Sequence, residues 1–165
     1  MPEARARRLI HVPPERVFEY ISDIANAPSW MFGVREVRGV RHRPVQEGDR
    51  LQIRLVAGGR LADSHWVIGS CEWPRRLSSS GQAMGATAQL EILCEPAGRG
   101  ATAVSQRLAY QLPGGPLGLL AARFGIGGIL ELQANHSLQT LSSLLEAAPD
   151  HPAGEGGGRL LPHRE

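Results

Sequence analysis

The chain has 165 residues, 42% hydrophobic and 21% charged, with 20 glycines and 12 prolines, which is the material of one domain with a core of its own. Its net charge of +2 comes from 18 arginines, no lysine and 16 acids, and the arginines are spread through every segment. A nucleic-acid binder would gather such charge into a stripe, so no nucleic-acid partner is expected, and Arg35, Arg38, Arg41 and Arg43 read as a solvated edge. No run approaches the ~18 apolar residues that span a bilayer. The arginine-rich opening has no apolar stretch behind it, so it does not read as a secretory signal, and the expected compartment is the cytoplasm. Cys71 and Cys94 lack metal-ligand or redox spacing and are expected as free, reduced core thiols.

In chain order, residues 3–12 open in the alternation of a half-buried strand. Pro13-Pro14-Glu15 then starts a helix, since proline suits a first turn and an acid suits its dipole. Val17, Ile21 and Ile24 make that helix amphipathic over about three turns, to an end near Asn26-Ala27-Pro28. Ser29 to Gly33 form an apolar corner, with Trp30 as its packing anchor. From Val34 to Leu112 the period becomes two, and strands are predicted at 34–41, 50–57, 60–73, 76–84, 87–95 and 101–112. Their tight connections demand an antiparallel meander, because parallel strands need crossover helices.

Leu112-Pro113-Gly114-Gly115-Pro116 ends the sheet, and one long helix is predicted over 117–147. Leu130, Ala134, Leu141 and Leu145 fall on one stripe of it, while Glu131 and Asn135 read as solvated. Gly125, Gly127 and Gly128 weaken its first half, which implies a bend or a close backbone approach there. The Gly-rich residues 149–165 have little to bury and are expected as a disordered tail beyond a domain spanning 1–148.

The stretch Ile10 to Trp30, with its strand, Pro-initiated helix, Val17-Phe18, Asp23 and following tryptophan, resembles the opening of the START and birch-pollen-allergen-like (SRPBCC) superfamily. It is most similar to the polyketide cyclase/dehydrase branch; Glu47-Gly48-Asp49, Trp66 through Pro74-Arg75-Arg76-Leu77 and the leucine-rich last helix extend the likeness to residues 5–147. The resemblance implies an α+β helix-grip fold: a seven-stranded curved antiparallel sheet wrapped around a long C-terminal helix, with a ligand cavity between them. It carries over no catalytic residue. Phe124-Gly125-Ile126-Gly127-Gly128 departs from the arginine- and leucine-rich pattern expected there.

A two-residue hairpin at Gly58-Gly59 would pair Ala57 with Arg60, Leu55 with Ala62, Ile53 with Ser64 and Leu51 with Trp66. Apolar Leu51, Ile53 and Leu55 should face inward, and opposed residues share a face, so Ser64, Trp66 and Ile68 follow them. Asp63 and His65 then lie outside, opposite Arg54 and Gln52, and form a surface pair instead of an acid-base site unless a β-bulge reverses the phase. On the last strand Thr102, Val104, Gln106, Leu108 and Tyr110 take the interior. The ligand-binding candidates are therefore Leu51, Ile53, Ser64, Trp66, Gln106 and Tyr110. The histidines are scattered without metal-ligand spacing, Ser78-Ser79-Ser80 lacks a nucleophile elbow, and the Pro113–Pro116 turn is no phosphate loop, so neither metal nor cofactor is expected.

A hydrophobic small molecule is thus the expected partner of a monomer or homodimer. The leading expectation is cyclisation and dehydration of a polyketide-like chain, with Tyr110, Ser64, a bound water or a displaced His65 giving modest acid-base help. The alternative is a non-catalytic carrier or sensor of a lipid, quinone or similar metabolite, opening at the Trp30–Gly33 corner or at Gly125–Gly128.

Overall fold

The computed structural model describes residues 1–148. The tail expected at 149–165 lies outside the described residues. Strand β1 (Glu3–Ile10) leads into α1 (Pro14–Ser22), a 3-10 turn (Ile24–Asn26) and the short α2 (Ala27–Trp30). Six strands follow: β2 (Val34–Arg38), β3 (Arg50–Ala57), β4 (Arg60–Glu72), β5 (Arg76–Ala83), β6 (Ala86–Pro96) and β7 (Thr102–Gln111). Helices α3 (Pro116–Arg123) and α4 (Ile126–Ala147) end the described chain.

The strands form one antiparallel sheet in the order β1-β7-β6-β5-β4-β3-β2, a meander in which β1 closes against the last strand. The sheet curves around α4 in a helix-grip fold, as expected. The β3–β4 register pairs Leu51 with Trp66, Ile53 with Ser64 and Ala57 with Arg60. Both turn glycines have positive φ, +57° and +77°, the handedness that matches a two-residue connection to strand twist.

Helix α1 starts on Pro14 with Glu15 in its first turn and buries Val17, Phe18 and Ile21. It stops at Ser22, a turn earlier than the apolar spacing predicts. The Asp23 backbone N–H there donates to the Glu19 carbonyl, and the 3-10 turn carries Ile24 inward instead. The same core unites α1, the inner rows of the sheet (Ile92, Cys94, Val104) and the α4 stripe of Ala134, Leu138, Leu141 and Leu145.

The segment between β2 and β3 is fastened at both ends. Arg43 makes a two-pronged contact with Asp23, Nε to Oδ1 at 2.7 Å and a terminal nitrogen to Oδ2 at 2.8 Å, and the Val45 N–H donates to the Ser22 carbonyl. Asp49 accepts from the Gln46 backbone N–H at 2.9 Å, and its Oδ1 lies 2.8 Å from His42 Nδ1. At the far end of α4, Glu146 accepts from the His11 backbone N–H at 3.0 Å and from Ser142 Oγ at 3.1 Å.

The helix expected over 117–147 is two helices. Gly125 takes a left-handed conformation (φ +70°) and caps α4, so the chain turns between Arg123 and Ile126. Gly127 permits a close approach as well: a Cβ there would stand 3.1 Å from the Tyr110 hydroxyl. Bend and close approach thus both occur where the glycines cluster.

Candidate functional site

Between the sheet and α4 lies a cavity of about 420 Å³, within the range of small-molecule sites. Period-two alternation on curved strands supplies its floor. One inner row runs Ile68–Ser79–Leu90–Leu108 across β4 to β7, and a second runs Leu77–Ile92–Gln106 across β5 to β7. Helix α4 covers these rows with Leu130, Gln133, Ala134 and Ser137, while the α2–β2 corner contributes Trp30, Met31 and Phe32. Trp30 is both the packing anchor at that corner (3% exposed) and part of the wall. Phe32 and Ile129 belong to the wall yet are 50% and 52% exposed, so they mark the mouth.

Ser137 ties the two sides of that mouth together. Its hydroxyl donates to the Gln133 carbonyl at 2.9 Å and accepts from the Phe32 backbone N–H at 2.8 Å. Phe32 also meets His136 edge-on, with ring centroids 5.4 Å apart.

Of the six sequence candidates, Leu51, Ile53, Trp66 and Gln106 stand in the wall. Ser64 and Tyr110 face inward but are not wall residues. Ser64 is fully buried: its hydroxyl donates to the Ile53 carbonyl at 2.8 Å and accepts from Trp66 Nε1 at 2.9 Å. It fixes the indole, and its proton is committed to the Ile53 carbonyl. Tyr110 is buried with its hydroxyl beside Gly127.

His65 is exposed on the outer face, and Arg54 Nε donates to Asp63 at 3.1 Å with both side chains about half exposed. A β-bulge does interrupt β4, but it falls between Ile68 and Ser70, beyond His65, so the phase at Asp63 and His65 is not reversed. Glu131 and Asn135 are exposed, as their place beside the apolar stripe predicts.

The wall is chemically plain. Among its described residues none has a titratable side chain; the polar ones are Trp30, Trp66, Ser79, Gln106, Gln133 and Ser137. Gln106 is 8% exposed, and its Oε1 is the buried side-chain polar atom that has no hydrogen-bond partner among the described residues. The thiols lie outside the wall: burial pushes Cys94 up to about 12 and raises Cys71 as well. Among the described residues no three His, Cys, Asp or Glu side chains gather as a metal site, and no helix is long and apolar enough to cross a membrane.

Two features escape sequence reasoning. Gly81 seats the indole of Trp66: a Cβ at Gly81 would stand 2.3 Å from ring atom Cδ2. A glycine inside a strand is a signal for such close approach. Ser137, a polar residue within the buried stripe of α4, is the other, and its position between Ala134 and Leu141 is the visible trace.

Comparison with known proteins agrees with this architecture. Residues 1–143 match the family described as "Polyketide cyclase / dehydrase and lipid transport". No curated protein sequence matches the chain. Among solved structures, TTHA0849 from Thermus thermophilus superposes with TM-score 0.71 at 21% identity, covering 88% of this chain and 98% of that one. The Zhui aromatase/cyclase from Streptomyces sp. R1128 gives 0.72 at 13% identity, with 88% and 93% covered. A START superfamily protein from Mycobacterium smegmatis gives 0.65 at 13%, with 87% and 97% covered. At these identities the likeness is one of fold. The family match spans most of the chain, and this protein belongs to the polyketide cyclase/dehydrase and lipid transport family.

Proposed function

We propose that the protein holds one neutral, largely apolar small molecule in this cavity and releases it unchanged, as a carrier or sensor. The observation that carries this reading is the absence of any titratable side chain from the described wall. General acid-base catalysis needs a proton donor or acceptor within hydrogen-bond reach of the reacting atom. The groups considered for that work lie elsewhere: His65 is on the outer face, Ser64 is committed to Ile53 and Trp66, and the Tyr110 hydroxyl abuts Gly127. A wall of this composition also disfavours a charged ligand head, because an ion buried without a counter-charge is costly.

Cyclisation of a polyketide-like substrate is the second reading. The family description and the likeness to the Zhui aromatase/cyclase favour it, since an enclosed apolar cavity can fold a flexible chain by orientation alone. One experiment separates the two. Protein purified without denaturant should carry a neutral ligand visible by native mass spectrometry, and poly-β-ketone mimics should leave incubation with the same products as without protein. Turnover that disappears in a cavity-filling Ala134→Phe variant would replace the carrier reading with the cyclase one.

A further inference from the structure

We propose that the end of the molecule around the cavity mouth docks on an anionic phospholipid bilayer, from which the apolar ligand enters; this rests on the carrier reading and names the partner it exchanges with. Helix α3 carries the first sign. Its sequence, Pro-Leu-Gly-Leu-Leu-Ala-Ala-Arg, is apolar up to its last residue, and a helix apolar all round is ordinarily buried. Here no described side chain of α3 is buried. Leu119 and Phe124, just past the helix end, are 75% and 74% exposed, and Leu120 lies open as well.

The apolar surface continues onto α4. Ile129 and Leu132 are exposed and one turn apart, His136 lies a turn further on, and His136 meets the exposed ring of Phe32. Phe32 and Ile129 belong to the cavity mouth, so this surface runs up to its rim. The β5–β6 turn adds Met84, exposed and held at φ +52°, a left-handed conformation that suits glycine better than a long side chain. A Cβ on Gly85 would stand 3.4 Å from Pro113 Cβ, which puts this turn beside the approach to α3. Apolar side chains gathered in this way on one end mark an interaction surface.

Charge selects the partner. The segments that build this end, 29–34, 56–62, 83–87 and 111–130, contain two bases, Arg60 and Arg123, and no acid. Both arginines are exposed and in no ion pair among the described residues. The flanking acids are Asp63, which Arg54 holds, and Glu131 on α4. A second copy of the chain would set this basic surface against itself, since a twofold contact joins like patches. Anionic headgroups supply the counter-charge instead, and the hydrocarbon beneath takes Leu119, Phe124 and Leu132 while the arginine stems reach back to the phosphates. A bilayer also stores neutral apolar molecules, and it would meet the cavity where the cavity opens.

The test is sedimentation of the full chain with vesicles of phosphatidylcholine alone and of phosphatidylcholine mixed with phosphatidylglycerol. The protein should follow the mixed vesicles, much less the neutral ones, and lose the difference in high salt. Arg60→Gln and Arg123→Gln should each weaken binding to the mixed vesicles about fivefold, the ~1 kcal/mol of one base near an anionic surface. Leu119→Ser and Phe124→Ser should weaken binding to both vesicles without lowering the melting temperature, Phe124→Trp should retain it, and Leu144→Ser at the far end of α4 should not alter it. Equal binding to both vesicles, binding to neither, or binding that the α3 variants leave unchanged overturns the proposal. So does a dimer in lipid-free buffer that Phe124→Ser dissociates, because a second copy then owns the surface. Affinity for a fluorescent apolar ligand, measured without vesicles, tests the carrier reading separately: retained affinity with no docking leaves that reading standing, and docking with no ligand bound overturns it alone. If a variant fails to fold, the wild-type comparison of vesicles and salt decides.

Discussion

At the scale of single residues, the cavity depends on how Trp66 is seated. Ser64 holds the indole nitrogen, and Gly81 leaves room for the ring, three of whose atoms lie 2.3–2.6 Å from where a Cβ would be. Gly81→Ala should therefore tip the ring into the cavity, cost ~1–3 kcal/mol as an overpacked site and weaken ligand binding. Combined with Trp66→Leu, the two losses should fall short of additive by more than ~0.5 kcal/mol in chemical denaturation, which is the signature of direct contact. On the opposite face, Asp63→Ala and His65→Ala should each change stability by no more than ~1 kcal/mol, the scale of exposed pairs, and leave ligand affinity as it was. Loss of binding in His65→Ala would place the functional surface outside the sheet. The thiols behave as core groups: with Cys94 pushed up to about 12 and Cys71 raised, both by burial, neither is a thiolate near neutral pH. Alkylation of the native protein should be slow, and unfolded, unreduced protein should yield both thiols.

Among the elements, α4 is the one whose attachments matter for exchange of a ligand. Its first turns border the mouth, and Ser137 fastens it to Phe32 at the α2–β2 corner. Ser137→Ala removes that tie at a cost of about 1 kcal/mol. It should raise both association and dissociation rates of a fluorescent apolar ligand in stopped-flow, with little change in Kd. Unchanged rates would mean that the ligand enters elsewhere. The break between α3 and α4 sets where α4 begins. Gly125 is left-handed, so Gly125→Ala should cost about 1–2 kcal/mol, and a smaller loss would show that the two helices can join without strain.

For the whole molecule, carboxylates hold the connecting segments in place, and this gives the fold an acid limit. The Arg43 guanidinium holds Asp23 below the usual carboxylate range. The Gln46 backbone N–H does so for Asp49, and the His11 backbone N–H for Glu146. A folded pKa below the unfolded one, which is about 4, means that these groups stabilise the fold fully above that value. The contribution is lost as pH falls through the depressed folded values. The melting temperature should thus be insensitive to these groups from neutral pH down to about 5 and drop steeply below about 4. Asp49→Asn should lower it at neutral pH and flatten the acid limb; an unaltered limb would show that Asp49 does not contribute.

The local order of residues was enough to derive most of the fold. Alternation marked all the strands, Pro14 and Glu15 the first helix, and Gly58-Gly59 the β3–β4 register, because each of these rests on neighbours in the chain. That register placed Leu51, Ile53 and Trp66 on the inner face and kept His65 off it. Alternation tells in from out, but not whether an inward side chain meets open space or another atom. Ser64 and Tyr110 both point inward; one is taken up by Trp66 and the other abuts Gly127. Gln106 points inward too and stands in the cavity wall, with its Oε1 buried and unpaired among the described residues. The residues that decide these outcomes come from distant strands and from α4, and the bend at Gly125 sets where α4 begins. The lining of the cavity was therefore settled by tertiary packing, since no local spacing records which surfaces the curved sheet and the helix leave apart.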